Sequence, residues 1–211
     1  MRTQDLIDTL AADLKPQKPF AAALAPALAL GFAVSAALFL TMLGPRPDFV
    51  AALESARFLA KPTVALLLAA AALGLAARLA RPGAPASGWG LALLAAPVAA
   101  ILFSAVELSV LPASLWSAAW IGQNAVFCLV AIPVLAMPTL AGLIYALRRG
   151  APLRPRLAGA VAGLASAGLA ASLYATYCPD DSPLFVATWY TGAALITAGV
   201  GALAGKRWLR W

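Results

Sequence analysis

Cys128 and Cys178 are the two cysteines of a chain that has no histidine. Each lies near one end of a different apolar segment, and the two ends fall on the same side of a chain built to cross a bilayer. A thiol pair so placed has three uses. It can close a permanent disulfide, because helices packed about 8–10 Å apart can bring facing Cα atoms within the roughly 4.4–6.8 Å that the bond requires. It can simply fill space, since free cysteine behaves as a small hydrophobe. Or it can form a reversible switch, by disulfide formation or by bridging a thiophilic ion such as copper. Without histidine, a three- or four-coordinate metal site needs help from Glu107, Asp180, Asp181 or methionine, so a catalytic zinc centre is not expected. No cofactor is obligatory, and Cys128 and Cys178 are the metal ligands in the thiophilic-ion alternative.

The surroundings of the second thiol favour sensing. Tyr177-Cys178-Pro179-Asp180-Asp181-Ser182-Pro183 ends one apolar run, offers two carboxylates in a Pro-bounded turn and starts the next. Nearby carboxylates raise the local cation concentration. Glu107 is the acid closest to hydrocarbon, a functional candidate unless it sits at the interface, where it is ordinary. Gln123 and Asn124 precede Cys128 and are suited to hydrogen-bonding between helices.

The elements that position these groups follow from composition. Hydrophobic residues make up 63% of the chain, charged residues 11%, and mean hydropathy is +0.89. That is the balance of an integral membrane protein. Runs long enough to cross about 30 Å of hydrocarbon, which takes roughly 20 helical residues, span Phe20–Leu43, Pro62–Leu79, Leu91–Leu111, Val126–Leu147, Leu157–Tyr177 and Leu184–Leu203. The expected fold is all-α, an integral membrane bundle of six transmembrane helices; the short second run leaves a five-span alternative. Residues 1–19 form a cytoplasmic segment, 20–205 the membrane domain and 206–211 a basic tail. Pro133 and Pro138 are expected to bend the fourth span. Gly159-x-x-x-Gly163 and Gly201-x-x-x-Gly205 offer close-packing surfaces.

Charge orients the bundle. With the N-terminus inside, 12 of the 15 basic residues are cytoplasmic, leaving Arg46, Arg57 and Lys61 in a first outer loop, Gly44–Lys61. This topology accounts for most of the +7 net charge, so no direct nucleic-acid partner is needed. The first 18 residues are polar and carry three acids, unlike a cleavable signal peptide. They do hold a helical pattern. Thr3 suits an N-cap, Asp5 and Asp8 fall in the first turns, and Leu6, Ile7, Leu10 and Leu14 recur on one face until Lys15-Pro16 stops the run. The result is a short amphipathic helix with an acidic polar face, either a protein-docking element or a lead-in to the first span.

Four stretches carry a family resemblance: Arg2–Leu14, Asn124–Pro133, Leu147–Pro152 and, the most specific, Tyr177–Tyr190. Together they resemble the NrsF family, six-span inner-membrane proteins named as negative regulators of sigma factor F. The resemblance implies an anti-sigma factor that holds an extracytoplasmic-function sigma factor at the bilayer until periplasmic oxidative or metal stress acts on two cysteines, here Cys128 and Cys178. It implies no enzyme activity. Glu107, Asn124, Asp180 and Asp181 are then the supporting groups of the sensor. The sigma-binding surface is expected to draw on Asp5, Leu6, Ile7, Asp8, Leu10, Leu14, Arg148 and Arg149. A small permease and a thiol oxidoreductase are the competing readings.

Overall fold

The computed structural model describes residues 3–12, 20–85 and 87–209. Six helical stretches in it are long and apolar enough to cross a membrane, so the five-span alternative falls. After α1 (Thr3–Ala12), α2 (Phe20–Met42) is the first span; a single turn, α3 (Phe49–Ala52), leads to the second, α4 (Ala56–Leu79). The third is interrupted, with α5 (Ser87–Ala92) followed by α6 (Ala95–Val110). A short helix, α7 (Trp116–Ile121), precedes the fourth span, α8 (Ala125–Leu147), and α9 (Pro155–Ala175) is the fifth. The sixth begins with α10 (Pro183–Phe185), passes through a π turn at Val186–Tyr190 and continues as α11 (Thr191–Trp208).

Several boundaries differ from expectation for identifiable reasons. The second span begins six residues before Pro62, so Arg57 and Lys61 stand on helix α4 rather than in a loop. The break in the third span lies four residues ahead of Pro97, which has no N–H to give the Leu93 carbonyl. Lys206 and Arg207 form the last turn of α11 rather than a separate tail, where cations suit the negative end of the helix dipole. α1 includes Thr3 as a helical residue, which is therefore not its N-cap. Ile7 on that helix is 52% exposed. The expectations for Leu14 and the Lys15-Pro16 stop, and for the Leu6 and Leu10 side chains, lie outside the described residues.

Small residues explain how the bundle closes. α9 is the central helix, packed against α2, α4, α8 and α11, and Ala158, Ala162, Ala165, Ala167 and Ala175 along it are completely buried. Large apolar residues such as Leu30, Leu40, Ile101, Val106 and Leu203 point outward. That is the inverse of a water-soluble core, and it fits a solvent as apolar as leucine itself, in which helices associate through close backbone contact. The glycine pairs supply the closest approach. Gly159 abuts the Gly201 carbonyl and Gly205, while a Cβ at Gly163 would stand 2.5 Å from the Thr197 carbonyl oxygen.

The six spans leave two ends. At one, the α8–α9 turn is fastened to α4 by the Ala151 N–H on the Ala80 carbonyl, 3.0 Å. At the other, the Arg46 N–H donates to the Thr176 carbonyl at 3.0 Å, drawing the loop after α2 onto the end of α9. Both cysteines are at this second end.

Candidate functional site

Cys128, in the first turn of α8, and Cys178, three residues beyond α9, are both free thiols with no exposed surface. They share one apolar cluster with Phe39, Ile132, Tyr174, Phe185 and Tyr190. The Tyr174 and Tyr190 rings pack at 5.9 Å, and both hydroxyls are buried, that of Tyr190 without a hydrogen-bond partner. Burial pushes the Cys178 thiol above the ordinary range, and the nearby Lys61 cation offsets this only in part. Both thiols are therefore buried and the Cys178 thiol is held neutral, the reverse of the exposed, low-pKa setting of a preactivated thiol.

The polar half of the site is built around Lys61. Its ammonium, 1% exposed, donates to the Cys178 carbonyl at 2.7 Å, the Asp180 carbonyl at 3.1 Å and Asp181 Oδ1 at 2.7 Å. Arg46 grips both oxygens of Asp181 at 2.9 and 3.1 Å and forks onto Asp48, holding the Asp48 carboxyl down at about 2. Two cations thus face two carboxylates. Phe58, buried beneath them, presents its ring 5.8 Å from the Arg46 guanidinium and 5.9 Å from the Lys61 ammonium, an arrangement that adds cation–π attraction. The burial of so polar a residue as Lys61 is tolerable because all three of its donors are used.

Two further carboxylates, Asp180 and Glu107, sit at helix starts across the chain. Asn124 and Ser182 stand at the N-cap positions of α8 and α10 without making a side-chain cap bond. Asp180 holds the turn just ahead of α8, accepting from the Gln123 N–H at 3.0 Å, the Asn124 N–H at 2.9 Å and Asn124 Nδ2 at 3.1 Å. Glu107 does so for the sixth span, accepting from Ser182 Oγ at 2.6 Å and the Leu184 N–H at 3.3 Å, with Arg57 at 3.7 Å. In both places a negative charge meets the positive end of a helix dipole. Gly122 makes the first of these contacts possible. Its φ of +60° turns the chain into α8, and a Cβ there would lie 2.6 Å from the Phe185 ring and 2.8 Å from Asp180.

Glu107, Asn124, Asp180 and Asp181, the supporting residues expected from sequence, are thus gathered with the thiols, whereas Arg148 and Arg149 lie at the opposite end of α8. Among the described residues no cluster of three or more histidine, cysteine or acidic side chains is arranged to hold a metal ion. The carboxylates are spoken for by cations and N–H donors, so a thiophilic ion would have the two thiols as its donors. Sequence reasoning missed Lys61 and Arg46. A signal was there: five acids at this end against three bases left each base a partner to find.

A family model described as "Negative regulator of sigma F" matches residues 10–211. The chain belongs to the NrsF family. Its relatives there include the Probable anti-sigma-F factor NrsF of Azospira oryzae, 36% identical over 217 residues, and the Anti-sigma-F factor NrsF of Caulobacter vibrioides, 37% identical over 218 residues; both alignments cover all of each chain. No solved structure matches. For this NrsF-family chain the burial of both thiols makes a prediction about reactivity. Maleimide should label Cys128 and Cys178 in the folded protein about a hundredfold more slowly than in the unfolded one, the factor given by a local opening cost of about 3 kcal/mol. Because the Cys178 thiol is raised, the labelling rate at that residue should keep climbing with pH beyond the point where an ordinary thiol, near pH 8.5, levels off. By the same linkage, its neutral form adds stability below the unfolded thiol's pKa, and that contribution fades as pH rises above it. Equal labelling rates in folded and unfolded protein would contradict this burial.

Proposed function

We propose that the chain is a membrane-bound anti-sigma-F factor of the bacterial inner membrane, a regulator and not an enzyme. Its termini are cytoplasmic, and it holds an extracytoplasmic-function sigma factor until periplasmic stress acts on Cys128 and Cys178. The charge distribution supports the orientation, with 12 of 15 basic residues on the side of α1 and the α8–α9 turn. The observation that carries the reading is the joining of both thiols to one helix. Cys128 is on α8, and the Cys178 loop grips the start of α8 through Asp180. The far end of α8 delivers Arg148 and Arg149, which with Asp5, Leu6, Ile7, Asp8, Leu10 and Leu14 form the proposed sigma-binding surface.

Two stimuli fit the donor set. A two-electron oxidant converts the thiols to a disulfide, taking two electrons as two protons leave; a thiophilic ion such as copper displaces the same protons and bridges the sulfurs. Either outcome changes the packing of α8 against α9 and must disturb the Lys61 and Asp180 contacts. Turning a partner from 99% held to 99% free requires the two states to differ in affinity by about 5.5 kcal/mol. A small adjustment that leaves the binding surface intact is therefore insufficient.

The test is co-purification of the tagged protein from its own cells before and after periplasmic oxidant or copper. The expected result is a sigma factor retained at rest and lost after stress, with Cys128→Ser and Cys178→Ser variants that retain it throughout. Release from the double serine variant as complete as from the wild type would sink the thiol mechanism, and no sigma factor in either sample would sink the anti-sigma reading.

A further inference from the structure

Away from the thiols, α2 and α8 part to leave a groove of about 940 Å³, within the roughly 300–1,000 Å³ range of small-ligand cavities. Its walls carry Ala23, Pro26 and Leu30 on α2 and Pro138, facing them from α8. The helices hold the groove open because they touch through a seam of small residues beneath it. A Cβ at Gly31 would lie 2.8 Å from the Pro138 carbonyl oxygen, and Gly142 abuts the Ala27 carbonyl.

The groove is polar at one end alone. Tyr145 and Arg149 stand there, the guanidinium donating to the phenol oxygen at 2.7 Å and lying 5.2 Å from the ring centroid. Arg148 is exposed beside them, and Arg78 stands in the last turn of α4, with Arg81 two residues beyond it, where the α8–α9 turn is fastened. Along α2 the groove extends from Ala22 to Val34, a helical rise of about 18 Å. That is close to the hydrocarbon depth of a single leaflet, about half of 30 Å. An apolar slot of leaflet length with one cationic mouth has the chemistry of an amphiphile with one anionic end.

We infer that this groove is a binding site for an anionic glycerophospholipid, its acyl chain between α2 and α8 and its phosphate on Arg149 and the Tyr145 hydroxyl. The site shares Arg149 with the proposed sigma-binding surface, but it needs neither a sigma factor nor the thiols to bind lipid, so its test fails or succeeds separately from the anti-sigma reading. A protein segment in the slot would need apolar side chains facing walls that lie inside the membrane spans, whereas lipid is already there at high concentration.

The experiment uses the full chain in mild detergent, titrated with phosphatidylglycerol and phosphatidylcholine and read by native mass spectrometry. One phosphatidylglycerol should be retained at about a tenth of the concentration at which phosphatidylcholine is. Arg149→Gln should erase that preference while leaving weak, headgroup-blind retention, and Ala23→Phe, which fills the slot, should remove retention of both lipids. Melting temperature without added lipid identifies any variant that has failed to fold, and for such a variant Tyr145→Phe or Ala23→Leu serves in its place. Equal retention of the two lipids by the wild type overturns the proposal. So does unchanged phosphatidylglycerol retention in a folded Ala23→Phe protein. Displacement of the lipid by inorganic phosphate at millimolar concentration would show a phosphate site without an acyl slot, and would overturn it too.

Discussion

Asp181→Asn should destabilise the protein by about 3–5 kcal/mol, the usual cost of leaving a buried charge without its partner. Lys61 would then hold a full positive charge at 1% exposure among neutral acceptors alone, the Cys178 and Asp180 carbonyls and the amide oxygen that replaces the carboxylate. Lys61→Met should cost less, about 1–3 kcal/mol. In that variant Asp181 keeps both of its bonds to Arg46, and the losses are the donor to two carbonyls. The order of the two effects matters more than their size. Thermal melts of both variants in one detergent check it, and a Lys61→Met protein less stable than Asp181→Asn would mean that the carboxylate is not what neutralises the ammonium. The double variant should fall well short of the sum, because the two groups share one network.

The glycine seam between α9 and α11 gives the second large effect, and here sign is the readout. In an open helical position Gly→Ala is worth about 0.5–1 kcal/mol of stabilisation. Gly199 is such a position, with nothing near the place a Cβ would occupy, so Gly199→Ala should raise the melting temperature. At Gly159 the new methyl would run into the Gly201 carbonyl and the backbone of Gly205. Backbone atoms cannot rotate away, so the helices must separate, and Gly159→Leu should cost about 3 kcal/mol or more. Stabilisation by Gly159→Ala of the same size as at Gly199 would show that the two helices are not in contact in the membrane.

The span count, the glycine pairs and the gathering of Asp180 and Asp181 beside Cys178 were legible because each depends on local pattern: hydropathy over a window, spacing along a helix, and a proline-bounded turn. Lys61 was not. A window that penalises charge pushes a helix start past the last cation, and so the run was begun at Pro62 when α4 begins at Ala56. What makes that lysine compatible with burial is a carboxylate 120 residues away, and no window reaches so far. The caps failed for the same reason. Asn124 and Ser182 are the residue types that cap helices from within, yet the bonds come from Asp180 and Glu107 on other segments. The two prolines in α8 were visible as residues, whereas the slot beside Pro138 depends on α2 and became visible only in three dimensions.

The hold of Asp180 on the Gln123 and Asn124 N–H groups, just ahead of α8, has a mechanical meaning in the proposed mechanism. α8 has 23 residues and is about 35 Å long at 1.5 Å per residue. A rod of that length, pivoted near its middle and pushed at one tip, displaces the other tip by a similar amount in the opposite direction. A shift of about 2 Å in the Cys178 loop would tilt it by roughly 7° and move Arg148 by about 2 Å. In the proposed mechanism the clasp would be the handle of that lever, and Pro133 and Pro138, each omitting a rung of the backbone ladder, would be the joints at which the stroke is lost.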